Sequence, residues 1–247
     1  MMEYIYGLHN IIALLDTNAD KIKQIYISYN KKQQYYRLIN QLANLNIKTN
    51  FCDHITLEKL IKNNRHNGLV AQVLNLNYIS NKNLKAHLNN HNNSNAIFLI
   101  LDGVTDTNNL GAIIRNCECL GVQGLILPNN NTAPVNHTVA RVSAGASYYL
   151  PIFIVNSLID SIAIFKDYGY LIAATILNNN ATPLSKFKTS KKIVWILGGE
   201  EKGISKKIQN EADALIKIDM SGKTQSLNVS VTAGLIIFDT LNKTKSL

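Results

Sequence analysis

Cysteine is scarce in this chain of 247 residues, which has three, at Cys52, Cys117 and Cys119. An odd number of cysteines without a CxxC pair argues against a disulfide scaffold and against a zinc site. We therefore expect no metal and a reducing, cytoplasmic environment. Cys117 and Cys119 are interpreted as packing residues.

Long apolar runs are absent as well. No stretch reaches the ~18–20 apolar residues that a membrane-spanning helix needs. The opening MMEYIYGLHN lacks a basic segment followed by an apolar one, so no signal peptide is predicted. With 46% hydrophobic residues, the composition is typical of a soluble globular protein.

Two common nucleotide-binding motifs are missing. The first strand of the C-terminal half is not followed by GxGxxG, which argues against the usual dinucleotide fingerprint. Gly222-Lys223-Thr224 resembles the end of a P-loop, but the upstream glycine is not at the required spacing. These absences argue against a phosphate-binding NTPase.

Acidic residues are the minority charge. There are 16 Asp and Glu against 25 Lys and Arg, which gives a formal net charge of +9. An excess of this size favours a polyanionic partner, most simply nucleic acid. General solubility is the alternative, and charge alone leaves the two open.

Residues 1–76 predict a small α/β domain, followed by a polar linker over 77–95. Apolar periodicity predicts helices and strands in alternation, with Thr56 as the cap of the third helix. The predicted helices cover 7–15, 33–45 and 56–61, and the predicted strands cover 22–28, 48–51 and 69–76.

Residues 96–247 predict a parallel α/β sheet, because continuous apolar strands alternate with helical segments. Ligands of such sheets bind in the loops at the carboxyl ends of the strands. The predicted strands are 96–102, 124–128, 170–176, 193–199 and 214–218, and the predicted helices are 110–120, 157–168 and 227–241. Asn156 or Ser157 is expected to cap the second of these helices.

Three polar, glycine-containing loops that follow apolar strands carry a resemblance. Asp106–Arg115 (DTNNLGAIIR) resembles the first signature of the SpoU (TrmH) family of RNA ribose 2′-O-methyltransferases. Gly198–Gly203 (GGEEKG) resembles the second signature, and Ile218–Val231 resembles the third. Each signature alone is weak, whereas the three in this order are specific.

The N-terminal domain adds to the resemblance. Tyr6–Asn10 and Arg65–Ala71 look like the start and end of the small, ribosomal-protein-like RNA-binding domain that some members carry. The resemblance then implies methylation of a guanosine ribose in the P loop of 23S rRNA. Two alternatives stay open: a tRNA guanosine as target, and a non-catalytic RNA-binding assembly or resistance factor.

The resemblance implies a SPOUT fold with a deep trefoil knot, and S-adenosylmethionine as the cofactor. It assigns cofactor binding to Gly198, Gly199, Ile218, Met220 and Leu227. This is chemically sensible, since glycines permit close approach of a ligand to the backbone and the apolar side chains offer walls for an adenine ring.

The resemblance also implies a set of catalytic residues, namely Arg115, Asn109, Glu200, Ser226 and Asn228. Arg115 is expected at the 2′-hydroxyl, either as the base or by orienting phosphate and stabilising the oxyanion. Asn109 is expected to cap its helix. Glu200 is expected to orient Arg115 or Asn109, or to cap the next helix, and either Ser226 or Asn228 is expected to cap the final helix.

Contacts with RNA are expected from His9, Arg65, His66 and Lys223, although both histidines are equally compatible with structural roles. Asp219 stands where the third signature usually has proline and adds a negative charge beside the expected cofactor site.

Family members act as homodimers, with the arginine of one subunit at the cofactor of the other. The final helix has more apolar residues than one core-facing stripe requires, so a second buried face is expected on it.

Overall fold

The structure is a computed structural model that describes residues 2–74, 83–90, 95–200 and 202–245. The described residues fall into two compact units. The first contains those before position 79 together with Ala144–Tyr149, and the second contains the rest. The domain bounds expected from the sequence stay a prediction.

The first unit is built on a four-stranded sheet of order β1-β4-β2-β3. Only β2 and β3 pair in parallel, and β4 is antiparallel to both of its neighbours. The strands are β1 (Met2–Tyr6), β2 (Ile22–Ser28), β3 (Lys48–Cys52) and β4 (Leu69–Leu74), and the helices are α1 (Leu8–Asn18), α2 (Tyr36–Asn44) and α3 (His54–Ile61). The sequence did not predict β1.

Helix α3 corrects one prediction in this unit. Asp53, and not Thr56, is its cap, because the Asp53 side chain accepts a hydrogen bond from the Thr56 backbone N–H at 2.7 Å. A hydrogen bond from the Thr56 side chain, followed by this bond from its backbone N–H, holds the pKa of Asp53 below its usual value. The helix therefore begins at His54.

The predicted linker is partly a core element. Helix α4 (Leu84–Asn90) lies within residues 77–95 and buries Leu84 and Leu88 in the second unit, in one cluster with Phe98 and Phe153. Leucines four positions apart share one helix face, which explains why both side chains are buried in the same cluster. Residues 77–82 and 91–94 of the predicted linker lie outside the described residues.

The second unit confirms the expected parallel sheet. Its seven strands have the order β7-β6-β5-β10-β8-β11-β9, and every pairing between neighbours is parallel. The strands are β5 (Ala96–Asp102), β6 (Gly124–Pro128), β7 (Ile152–Val155), β8 (Leu171–Thr175), β9 (Thr182–Pro183), β10 (Lys192–Gly198) and β11 (Ala214–Lys217). Both β7 and β9 were missed because they are short. The trefoil knot stays a prediction.

Five further helices follow strands of this sheet or their loops: α5 (Thr107–Cys119), α6 (His137–Val142), α7 (Leu158–Asp167), α8 (Lys206–Glu211) and α9 (Val229–Thr244). Ser157 caps α7, one of the two predicted caps, by accepting from the Asp160 N–H at 3.1 Å. Trp195, fully buried in β10, donates its indole N–H to Thr240 at 2.9 Å and so fixes α9 to the sheet.

The three cysteines are free. Cys117 is fully buried, and burial raises its pKa well above the usual value, as expected of a packing residue. The same prediction is wrong for Cys119, which is exposed. Among the described residues, no helix combines the length and apolar character needed to span a bilayer.

Candidate active site

A pocket of about 480 Å³ opens at the carboxyl ends of three neighbouring strands of the second unit, β8, β10 and β11. This is the edge where parallel sheets bind ligands, and the volume suits a small organic molecule. All the predicted cofactor-binding residues line it: Gly198, Gly199, Ile218, Met220 and Leu227. Their role in binding stays a prediction.

The first two glycines of the second signature, Gly198 and Gly199, are required because other backbone segments pack directly against them. A Cβ on Gly199 would collide with the carbonyl oxygen of Gly103, and one on Gly198 would collide with the backbone of Gly203 and Ile204. The Gly199 N–H also donates to the Asp102 carbonyl at 2.8 Å. The loops after β5 and β10 are therefore packed backbone to backbone at the pocket.

One carboxylate joins the three signature loops. Glu200 Oε1 accepts from the side-chain amide of Asn109 at 3.1 Å and from that of Asn228 at 2.7 Å. Asn228 also donates to Asn109 Oδ1 at 2.9 Å. The three side chains, named the amide–carboxylate triangle below, come from the loops after β5, β10 and β11. Of the three roles considered for Glu200, its contact with Asn109 is the one present.

Helix caps explain how the two asparagines reach Glu200. Asp106 caps α5 by accepting from the Asn109 backbone N–H at 2.8 Å, so the prediction that Asn109 is the cap is wrong. The Asn109 side chain is thereby free for Glu200. At α9, Asn228 is the cap, since its Oδ1 accepts from the Ser230 N–H at 2.9 Å. This decides between Ser226 and Asn228.

The structure does not bring every predicted catalytic residue to the pocket. Glu200 and Ser226 line it, and Asn109 and Asn228 are tied to Glu200. Arg115 is exposed on α5, does not line the pocket, and has no hydrogen bond or ion pair with any residue that the structure describes.

Part of the pocket was missed from the sequence. Thr175, Ile176, Leu177 and Asn178, at the end of β8, form one wall. The available signal was topological, because β8 runs parallel to β10 and its end must therefore reach the same edge.

Asp219 is exposed and lies 3.9 Å from the ammonium group of Lys217. Lys217 also donates to the Asn179 carbonyl at 3.2 Å, which holds the lysine near this edge of the sheet. The negative charge expected beside the cofactor site is thus accompanied by a positive one, and exposed pairs of this kind interact weakly.

The predicted RNA contacts separate into two groups. His9, Arg65 and Lys223 are exposed. His66 is completely buried, and its Nδ1 accepts from the Gly68 N–H at 2.9 Å, so its burial favours the structural role over the RNA contact. Burial, followed by neighbouring His54, lowers the pKa of His66.

His66 also belongs to a group of three possible metal ligands. Suitable atoms of His54, Glu58 and His66 lie within 4.8 Å of one another. However, His66 Nδ1 accepts the Gly68 N–H, so the ring proton of the neutral imidazole resides on Nε2. A protonated Nε2 has no lone pair for a metal. We therefore assign no metal site to this group.

Two family models match this chain. Residues 96–238 match the model of the SpoU rRNA Methylase family, and residues 4–79 match a family described as RNA 2'-O ribose methyltransferase substrate binding. The match to the first model covers all three signature loops. The chain belongs to the SpoU rRNA methylase family.

Individual relatives extend over nearly the whole chain. The 23S rRNA (guanosine-2'-O-)-methyltransferase RlmB of Nitrosomonas europaea is 32% identical, with 98% of this chain and 92% of the relative aligned. An "Uncharacterized tRNA/rRNA methyltransferase" of Borreliella burgdorferi is 37% identical over 85% of this chain and 95% of its own. Among solved structures, an AdoMet-bound rRNA methyltransferase from Sinorhizobium meliloti superposes with a TM-score of 0.77 at 24% identity, covering 98% of this chain and 87% of that one.

Proposed function

We propose that this protein transfers a methyl group from S-adenosylmethionine to the ribose 2′-oxygen of a guanosine in 23S rRNA, in the P loop of the peptidyltransferase centre. The observation that carries the proposal is the meeting of the three signature loops at the carboxyl edge of the sheet. The second and third line one pocket, and Asn109 of the first is bonded to Glu200 of the second. The full-length similarity to 23S rRNA guanosine methyltransferases supports the target. Such a substrate and three free cysteines suit the cytoplasm.

The pocket fits the proposed cofactor. Gly198 and Gly199 allow the loops that border the pocket to pack closely, and Ile218, Met220 and Leu227 supply apolar walls for an adenine ring. When bound, S-adenosylmethionine supplies an electrophilic methyl group on a sulfonium. These five residues would hold it in the pocket that they line.

The remaining residues have roles in positioning and charge stabilisation. Attack by a ribose hydroxyl requires alignment with the methyl carbon and loss or polarisation of the hydroxyl proton. The amide–carboxylate triangle fixes the loop of Asn109 against that of Asn228, and Ser226 lies in the adjacent pocket wall. A guanidinium is a donor without an acceptor lone pair, so holding phosphate and stabilising the developing oxyanion suits Arg115 better than acting as base.

We further propose a homodimer in which the partner subunit supplies Arg115. Val231, Leu235 and Phe238 are 49%, 42% and 57% exposed on α9, at positions that share one helix face. A contiguous apolar face of this kind is typical of an interface. The absence of Arg115 from the lining of its own pocket supports the same arrangement.

The first test is mapping of methylated nucleotides by mass spectrometry after incubation of unmodified 23S rRNA, or unmodified tRNA, with protein and S-adenosylmethionine. One 2′-O-methylguanosine in the 23S P loop is the expected result. Methylation of tRNA instead would keep the chemistry and reject the target. An absence of methylation together with no heat of S-adenosylmethionine binding would favour the non-catalytic RNA-binding factor.

Replacing Arg115 by alanine is expected to lower turnover by ~10²-fold or more, as removal of a transition-state donor does. Cofactor binding, measured by calorimetry, should be retained. Arg141→Ala, a change of the same side chain on α6, is the matched control and should have little effect on turnover. An Arg115→Ala enzyme with unchanged turnover would reject the assigned role.

Mixing two inactive variants tests the dimer. Consider a heterodimer of one Arg115→Ala subunit and one Gly199→Ala subunit. If each subunit supplies its Arg115 to the pocket of its partner, one site contains both substitutions and the other site contains neither. Activity should therefore reappear on mixing, and Leu235→Glu should abolish both this recovery and the dimer seen by sedimentation velocity. If the subunits exchange and activity does not reappear, the result would contradict supply of Arg115 by the partner.

A further inference from the structure

A second feature, in the first unit, is not used by the pocket chemistry. Residues 29–36 read YNKKQQYY and lead from β2 into α2. Their backbone forms successive helical turns, with Lys32 N–H donating to Tyr29 O at 3.4 Å and Tyr35 N–H donating to Lys31 O at 3.0 Å. Tyr29 lies in a single 3₁₀ turn, Tyr36 begins α2, and Lys32 lies between them at spacings of three and four residues.

Two large aromatic side chains of this segment are exposed. Tyr29 is 56% exposed and Tyr36 is 64% exposed. The Lys32 ammonium lies 5.2 Å from the centre of the Tyr29 ring and 4.1 Å from that of Phe51, within cation–π distance of both. We name Tyr29, Lys31, Lys32 and Tyr36 the aromatic–basic ridge.

The charge of the ridge has one sign. Residues 29–37 contain Lys31, Lys32 and Arg37 and no acidic residue. Elsewhere in the same unit, the end of α1 and the turn after it carry Asp16 and Asp20. The positive charge is therefore concentrated beside the exposed rings.

Two contacts with the loop that contains Asn67 and Gly68 hold this segment in place. Tyr35, which points inward, is 4% exposed and donates its hydroxyl to the Asn67 carbonyl at 2.9 Å. Gly68 lies against Lys31, so closely that a Cβ on the glycine would come within 2.7 Å of Lys31 Cγ. Both contacts connect the ridge to the loop that carries exposed Arg65, within the signature that ends the substrate-binding region.

We propose that the aromatic–basic ridge binds unpaired nucleotides of the RNA substrate, with bases stacked on Tyr29 and Tyr36 and phosphates contacted by Lys31 and Lys32. Proteins recognise single-stranded RNA by this combination, because every base offers a π-face and the backbone is anionic. A ridge of alternating rings and cations fits such a strand better than an acidic protein segment, which offers no ring to stack. The inference rests on the proposed function in taking RNA as the partner.

The test measures the affinity of the full chain for a fluorescent single-stranded fragment of 23S rRNA at several salt concentrations. Tyr29→Ala with Tyr36→Ala should weaken binding by at least tenfold, since stacking contributes about 1–3 kcal/mol per base. The Tyr→Phe pair keeps the rings and should bind as the parent does. Lys31→Ala with Lys32→Ala should reduce the slope of log affinity against log salt by about 1.4.

Lys21→Ala with Lys23→Ala is the charge-matched control from the same unit and should leave the affinity near that of the parent. Far-ultraviolet circular dichroism of each variant verifies folding. Unchanged RNA affinity in the tyrosine double variant, with methylation intact in the parent, would overturn the ridge alone. Loss of affinity in a protein that methylates no RNA would keep the ridge and reject the proposed reaction. Unchanged RNA affinity with loss of binding to a polyglutamate peptide would assign the ridge to a protein partner.

Discussion

The two units use their sheets in different ways. In the second unit all pairings are parallel, so the carboxyl ends of β8, β10 and β11 meet at one edge and their loops form one pocket. In the first unit β4 runs against its neighbours, so strand ends are divided between both edges. Its exposed aromatic and basic side chains lie on a helical ridge instead. Strand direction thus separates a unit suited to chemistry from one suited to recognition.

The largest expected effect of a single substitution on stability lies at the carboxyl edge of the parallel sheet. Gly199→Ala would drive a Cβ into the Gly103 carbonyl, and backbone atoms cannot move aside as a flexible side chain can. We expect a loss of about 1–3 kcal/mol of stability and a corresponding loss of S-adenosylmethionine affinity of tenfold or more. Fluorescence of Trp195, the single tryptophan, reports unfolding of this unit, and calorimetry reports binding.

Gly222→Ala is the matched control for this prediction. It changes the same residue type in the loop after β11, where a Cβ would meet no atom within 4 Å. Its stability and cofactor affinity should stay near those of the parent. If both variants behaved alike, close backbone packing would not be the reason for glycine at position 199.

The next effect concerns the amide–carboxylate triangle. Glu200→Ala removes the acceptor shared by Asn109 and Asn228, and hydrogen bonds to a charged group contribute about 1.5–3 kcal/mol each. We expect turnover to fall by about 10- to 100-fold, measured with saturating RNA and S-adenosylmethionine. The first unit should be unaffected, with RNA affinity preserved.

Glu211→Ala serves as the comparison. Glu211 forms a partly exposed ion pair with Lys166 at 3.3 Å, and such pairs contribute little. Its turnover should match that of the parent. Equal losses in both glutamate variants would mean that the triangle has no special role.

The smallest predicted effect belongs to the first unit and depends on pH. Burial and His54 depress the pKa of His66, while nearby Glu58 raises it in part. As pH falls through about 6.5, the unfolded chain takes up a proton that folded His66 resists, so stability present above this pH is lost below it. Protonation would also break the bond from the Gly68 N–H. The loss should not exceed about 1.4 kcal/mol per pH unit.

Hydrogen exchange of peptides from β2 and β4, corrected for the intrinsic pH dependence of exchange, measures this loss between pH 7.5 and 5.5. His66→Gln should flatten the dependence. His9→Asn, which changes an exposed histidine of the same unit, should leave it in place. A pH dependence that survives His66→Gln would have to come from another group.

Local patterns in the sequence predicted much of the second unit. The apolar runs of β5 and β10 are buried on both faces, so no alternation was needed to find them. The cap of α3 was misplaced because Asp53 and Thr56 are both good capping residues, and only the hydrogen bond decides between them. Leu84 and Leu88 were visible in the polar stretch, but their burial depends on contacts with Phe98 and Phe153.

The sequence predicted which residues contribute to the candidate site, but it did not predict which of their atoms are in contact. Asn109 and Asn228 are 119 positions apart, and Glu200 is 91 positions from Asn109. No local pattern specifies which atoms meet over such separations, so the role of Glu200 was left among three possibilities. The burial of His66 was likewise invisible, because a histidine two positions before a glycine in a polar loop is typical of a surface.

The cap of α9 has a consequence for the order of assembly. Asn228 completes the first turn of the last helix and, through Glu200, binds loops that precede it by much of the chain. Ribosomes release the other elements of the second unit before this helix, so those elements can form the sheet while the pocket still lacks a wall. Closure then requires contacts across long sequence separations, which form slowly. A chain that stops just before α9 would therefore keep the strands of the sheet and lack the helix that completes the site.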